Sequence, residues 1–156
     1  MATQPVPEGY QTLTPYLCVD DATAAIDFYQ RAFGATERSR MPGPDGTIAH
    51  AELVIGTSAF MLSDPFPQSS VKPPKELGGT SAGIFTYVEN VDEVIQQAVD
   101  AGATLTMAPE NMFWGDRFGT VTDPFGHSWQ LATHVEDLTP EEMMERSKEF
   151  MASMSG

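Results

Sequence analysis

A pattern that returns a little under half a chain length later limits the possible folds of this chain more than anything else in it. Val19-Asp20-Asp21 is echoed by Val88-Glu89-Asn90, and Gly34 is echoed by Gly102 at almost the same offset. The second echo spans Ala32-Phe33-Gly34-Ala35-Thr36 against Asp100-Ala101-Gly102-Ala103-Thr104. Two short echoes can arise by chance. The order of elements around them repeats too, and duplication of one module explains both observations.

The first copy reads β-α-β-β-β. Leu13 to Val19 has strand character. Asp20 or Asp21 caps a helix with apolar positions at Ala22, Ala25, Ile26, Tyr29 and Phe33, and Gly34 ends it. Thr36 to Met41 is the next strand. After the turn at Pro42-Gly43-Pro44-Asp45-Gly46, Thr47 to Ile55 and Ser58 to Ser63 form a hairpin across Gly56-Thr57. The second copy begins with a strand at Gly83 to Val88. Asn90 caps a helix in the manner of a capping box with Glu93, and its stripe is Val91, Val94, Ile95, Ala98 and Val99. Ala103 to Met107 is a strand, and a hairpin then runs through Asp116 to Thr133.

In that hairpin Asp123-Pro124-Phe125-Gly126 makes the turn, with Asp bonding back to the backbone, Pro pre-setting φ and Gly closing it. His127, Trp129 and Leu131 alternate with Ser128, Gln130 and Ala132. The bulky set suits a helix-packed face, and the smaller, more polar set suits a cleft.

The fold class is therefore α+β, with two tandem βαβββ modules at residues 11–64 and 81–134. Residues 1–10 are a loose arm. Residues 65–80 form a loop rich in Pro and Gly, expected to lack regular structure and to act as a lid or a linker. Residues 135–156 restart as a helix at Thr139-Pro140-Glu141-Glu142, with a soft side of Met143, Met144, Phe150, Met151 and Met154. That side docks on its own domain or packs across a dimer, and docking is the preferred expectation.

The net charge of −14, from 22 acidic and 8 basic residues, repels phosphate backbones and anionic lipid, so nucleic acid and membrane are not expected partners. No apolar run is long enough to span a bilayer. The start of the chain has neither a basic residue nor an apolar signal core, so a cytoplasmic location is expected. The single cysteine, Cys18, excludes an internal disulfide and fits a reducing compartment.

Two such modules, the segment Leu17-Cys18-Val19-Asp20-Asp21 leading to Asp27-Phe28-Tyr29, and Asp123-Pro124-Phe125-Gly126-His127 together resemble the vicinal oxygen chelate superfamily. That group includes glyoxalases, extradiol dioxygenases, fosfomycin-modifying enzymes and bleomycin-resistance proteins. The likeness covers about residues 11 to 134. Trp114-Gly115-Asp116-Arg117 and Gly126-His127-Ser128-Trp129 are similar to a bacterial glyoxalase-like branch that also carries a demethylubiquinone-methyltransferase label. No Gly-rich nucleotide loop follows a strand, so the methyltransferase label draws no support.

The resemblance implies that each module curls its mixed sheet into half of a cup. It also implies pairing into a homodimer, with pairing of modules within or between chains left open. Metal-using members place four ligands, usually His and Glu, on the first and last strands of the two modules. On that pattern the positions fall on Thr14, Met61, Gly83 and Gln130, and the step from Thr14 to Gly83 equals that from Met61 to Gln130. These offer no negative charge and no imidazole, whereas hard divalent cations favour such donors. Neither a metal nor another cofactor is expected.

His50 and Glu52 share a strand face with Ile48 and Val54, opposite Ala49, Ala51, Leu53 and Ile55. If the apolar set meets the helix, His50 and Glu52 face the cup as a base and its orienting partner, as two ligands of a relocated metal, or as a structural pair. Arg117 and Trp114 are placed at the cup mouth, where they could clamp a carboxylate and stack on a planar ligand. The alternatives are an ion pair for Arg117 and simple packing for Trp114. Phe66 and Glu76 sit in the loop that could close over the opening. His127 is assigned to the turn backbone, His134 is a lesser ligand candidate, and Cys18 is a buried strand residue. Tyr16 and Tyr87 could line either face.

The function expected is that of a small-molecule-binding protein with a degenerate metal site, sequestering a toxic or aromatic compound. His50, Glu52, Met61, Trp114, Arg117 and Gln130 are its expected ligand-binding residues. The competing expectation is a lyase, isomerase or dioxygenase with a metal at a shifted site.

Overall fold

The computed structural model describes residues 2–156. The first module comprises β1 (Tyr16–Cys18), α1 (Ala22–Phe33), β2 (Thr36–Pro42), β3 (Ile48–Ile55) and β4 (Ser58–Ser63), with sheet order β1-β4-β3-β2. A helical turn, α2 (Pro74–Leu77), precedes the second module. That module comprises β5 (Gly83–Tyr87), α3 (Val91–Ala101), β6 (Thr104–Asn111), β7 (Asp116–Thr122) and β8 (Ser128–His134), in the matching order β5-β8-β7-β6. In each sheet the first strand runs parallel to the last, and the other pairs are antiparallel. The chain closes with α4 (Pro140–Met154). No helix among the described residues is long and apolar enough to cross a membrane.

Helices α1 and α3 start on the expected cap residues, with half of the capping box expected at Asn90. The Asp21 carboxylate accepts from Ala24 N, and the Asn90 side chain accepts from Glu93 N. The duplication extends to a detail that pattern alone does not show. Asp64 Oδ1 accepts from Ala22 N at 2.9 Å, and Thr133 Oγ1 accepts from Val91 N at 2.9 Å. In each module, then, a side chain at the end of the last strand satisfies the first N–H of the helix.

Some boundaries differ from expectation. β1 begins at Tyr16 rather than Leu13, because Pro15 has no N–H and Leu13 is exposed; pairing opens with Met61 N donating to Pro15 O. The loop expected to lack regular structure contains α2, which opens on Pro74 and ends at Gly78 in the left-handed region. β6 continues past Met107 to Asn111 and carries Pro109. It is an edge strand, and its register slips between Met107 and Glu110, where a residue without an N–H is tolerated.

One core joins both modules, with α1 packed against α3. Ala51, Leu53, Phe60 and Leu62 enter it from the first sheet, and Val121, Trp129 and Leu131 from the second. Tyr29 of α1 lies between them, its ring centroid 5.5 Å from Phe60 and 5.3 Å from Trp129. Below these rings sits Asp123. Its Oδ1 accepts from Phe125 N and His127 N, both at 2.9 Å. Its Oδ2 accepts from Tyr29 OH at 2.6 Å and Trp129 Nε1 at 2.9 Å. The turn carboxylate thus ties the hairpin of the second module to the helix of the first. His127 Nε2 adds a contact at 2.9 Å to Cys18 O on β1.

With both helices lodged between the two sheets, the other face of each sheet points outward. α4 lies outside this body. None of its residues is buried, and it is held by Phe150 against Phe113, with ring centroids 5.0 Å apart, and by Arg146 on Glu136. These contacts carry its docking on its own domain.

Candidate functional site

Alternation decides what the outward faces carry. On β3, Ala51 and Leu53 are fully buried toward the helices, so His50, Glu52 and Val54 turn outward. Ile48 leaves that set. It is buried at the start of the strand, where its N–H donates to Asp64 Oδ2 at 2.7 Å. Across the sheet, Glu52 pairs with Met61, and Met61 with Tyr16, so these three share the open face.

They form a polar row. Tyr16 OH is 3.0 Å from His50 Nδ1, and His50 Nε2 is 3.3 Å from Glu52 Oε1. The Tyr10 hydroxyl is buried close to the Glu52 carboxylate, just short of ideal hydrogen-bond geometry, and its ring lies 4.9 Å from the Arg38 guanidinium. Tyr10 and His50 together hold the Glu52 carboxyl below its ordinary range. Burial, followed by the neighbouring Glu52 charge, raises Tyr10.

The second open face is aromatic. Phe85 stacks on Phe118 at 5.7 Å between centroids and tilts against Tyr87 at 5.1 Å. Trp114 meets Phe118 edge-on at 5.6 Å. Phe85 and Tyr87 are 44% and 63% exposed, which is high for rings that already have aromatic neighbours. The buried carboxylate of Asp116 anchors the cluster from beneath: Tyr87 OH and Trp114 Nε1 each donate to its Oδ2 at 3.0 Å. Its Oδ1 lies 2.8 Å from His134 Nδ1, whose ring also contacts Asp137.

Gln130 sits on the same face, paired with Phe85 and Thr120. Its amide covers Gly83, where a Cβ would lie 3.3 Å from Gln130 Nε2.

Arg117 takes the ion-pair alternative rather than the clamp, with its partner on α3. Residues 117, 119 and 121 face α3; a Cβ on Gly119 would lie 2.5 Å from Ile95 Cδ1. The Arg117 guanidinium holds both Asp92 carboxylate oxygens, at 2.6 and 2.8 Å, and contacts Asn111. It is on the helix side of the sheet, not at the mouth of the aromatic face. Trp114, Gln130, His50, Glu52 and Met61 do reach open faces, but in two groups, one on each sheet.

Sequence reasoning missed Phe85, Phe118 and Tyr10 as members of these faces. The alternation of Gly83 to Tyr87 held the signal for Phe85, and the position of Trp114 near β7 held that for Phe118. Nothing local marks Tyr10, which reaches Glu52 only through the tertiary fold.

Cys18 is buried beside a cavity of about 290 Å³ lined by Tyr16, Ser63, Asp64 and Phe66, and burial raises its thiol. That environment opposes thiolate formation.

The four positions that would hold a metal do not suit one. The Thr14 hydroxyl donates to Gln11 O, Met61 offers a soft thioether, Gly83 offers nothing, and Gln130 is a neutral amide folded over Gly83. Among the described residues, no group of three or more His, Cys, Asp or Glu side chains could hold a metal ion. This donor set does not match a hard divalent cation.

Comparison with known proteins gives consistent results. Residues 11–131 match the family described as Glyoxalase/Bleomycin resistance protein/Dioxygenase superfamily. An uncharacterized protein of Mycobacterium bovis is 47% identical over 134 residues, covering 84% of this chain and 88% of the relative. The crystal structure of TioX from Micromonospora sp. ML1 is 29% identical with a TM-score of 0.65, covering 80% of this chain and 99% of TioX. The PhnB protein of Bacillus cereus is 21% identical with a TM-score of 0.60. It covers 79% of this chain and 99% of its own, a likeness that shows the shared fold alone.

Proposed function

Because the chain belongs to the Glyoxalase/Bleomycin resistance protein/Dioxygenase superfamily, we propose that it binds and sequesters an aromatic small molecule, without metal chemistry, in a compartment shared by two copies. The exposed aromatic face of the second module carries this reading. Phe85, Phe118 and Trp114 form a platform that suits a planar apolar ligand, and they leave its area open to water in the single chain.

Each open face is half of a cup. The two halves lie on separate sheets that share one core, and in this reading the polar face of one copy closes over the aromatic face of another. In that arrangement His50, Glu52, Met61 and Tyr16 face Trp114, Phe85, Phe118 and Gln130 across the ligand. Arg117, engaged by Asp92, supports the sheet from behind.

Two measurements test the proposal. Sedimentation at micromolar concentration gives a dimer. A thermal-shift and calorimetric screen of bicyclic aromatic compounds yields binders, and Phe118→Ala weakens them about tenfold, the loss of roughly 1.4 kcal/mol of stacking and burial. A monomer that binds no aromatic compound sinks the reading.

A further inference from the structure

The polar row on the first module fixes the position of one proton, and that position limits what the ligand can be. At neutral pH Glu52 is an ionised carboxylate, as a glutamate ordinarily is, and an ionised carboxylate only accepts hydrogen bonds. His50 Nε2, 3.3 Å away, therefore carries the imidazole proton. In the neutral ring Nδ1 is then bare and accepts. The Tyr16 hydroxyl, 3.0 Å from Nδ1, must donate to it. A phenol has one proton, and here it is already committed. Toward the open face the Tyr16 oxygen presents lone pairs only.

Tyr16 is 47% exposed and shares its face with Met61 and Glu52. Resting on the binding reading above, we infer that Tyr16 is an obligate hydrogen-bond acceptor for the ligand. The site then selects aromatic compounds that carry a hydroxyl or N–H donor over analogues in which that donor is capped. Glu52 orients His50, His50 orients the Tyr16 proton, and of these three Tyr16 alone takes the hydrogen bond from the ligand. His50 and Glu52 are thus positioning residues.

The test uses the full chain and two probes, 2-naphthol and its methyl ether 2-methoxynaphthalene, measured by calorimetry on wild type, Tyr16→Phe and His50→Leu. The ether's extra methyl adds apolar area and works against the preference, so the result is read as a cycle between probe and variant. Wild type favours the naphthol, and Tyr16→Phe reduces that preference roughly fivefold, the effect of one neutral hydrogen bond. His50→Leu frees the Tyr16 proton, which then donates to the ether oxygen and tightens ether binding relative to wild type. A merely structural role for His50 predicts no such gain. An unchanged naphthol-to-ether ratio in Tyr16→Phe overturns the inference and leaves aromatic binding intact. Failure of both probes to bind wild type overturns the inference and the binding reading together.

Discussion

Asp123 gathers more of the fold onto one side chain than any other residue described above, and its removal has a calculable cost. Four donors converge on its two oxygens. Tyr29 and Trp129 are 0% and 1% exposed, so water cannot replace the lost acceptor for them without opening the core. Each buried donor left unpaired costs about 1–3 kcal/mol. Asp123→Ala orphans two side-chain donors and loosens two turn amides. After relaxation the expected loss is about 4–5 kcal/mol, a large part of a typical domain's stability. Asp123→Asn keeps an oxygen for Phe125 N and His127 N but turns an NH₂ toward Trp129 Nε1, donor against donor, for about 2 kcal/mol. Tyr29→Phe removes a single bond and costs about 1–2 kcal/mol. Urea denaturation at neutral pH and fixed protein concentration reads all three, and the Asp123→Asn/Tyr29→Phe cycle reads their coupling. If Asp123→Ala loses less than about 1 kcal/mol, the hub is not what joins the modules.

Other perturbations separate the remaining interactions. Asp137, and after it Asp116, raise His134 above the ordinary histidine value of 6.5, so its stabilising effect is full below that pH and is lost as pH rises through the folded value. The melting-temperature gap between wild type and His134→Gln therefore narrows from pH 6 toward alkaline pH, and a gap constant with pH refutes this assignment. Gly119→Ala drives a methyl into Ile95 Cδ1 and toward Met107 O, and overpacking there costs about 1–3 kcal/mol by denaturant titration. Arg117→Ala leaves aromatic binding unchanged in calorimetry, because its guanidinium is on Asp92; a tenfold weaker affinity would return it to the ligand side.

Much of the architecture was legible in the sequence because it depends on local signals. The caps at Asp21, Asn90 and Thr139, the glycine stops at Gly34 and Gly102, and the paired echoes around them depend on chemistry within a few residues of each position. The outward turn of His50 and Glu52 followed from period-two alternation. Arg117 shows where that reasoning ends. Its strand was read correctly, but its face depended on which side of β7 meets α3, and Asp92 lies 25 residues upstream. Tyr10 is a similar case, since only the folded chain brings it to Glu52. The second oxygen of Asp123 is another. The turn motif accounts for the two backbone bonds, while the bond to Tyr29 spans 94 residues.

The layering of sheet, helices and sheet separates two kinds of selection. Inward residues answer to folding, and outward residues on the same strands answer only to what they meet in solution. A lineage can therefore exchange its outward chemistry, cation donors included, while the buried half of each strand keeps the scaffold standing. Met61, Gly83 and Gln130 stand on those outward faces, where a change of side chain leaves the core untouched.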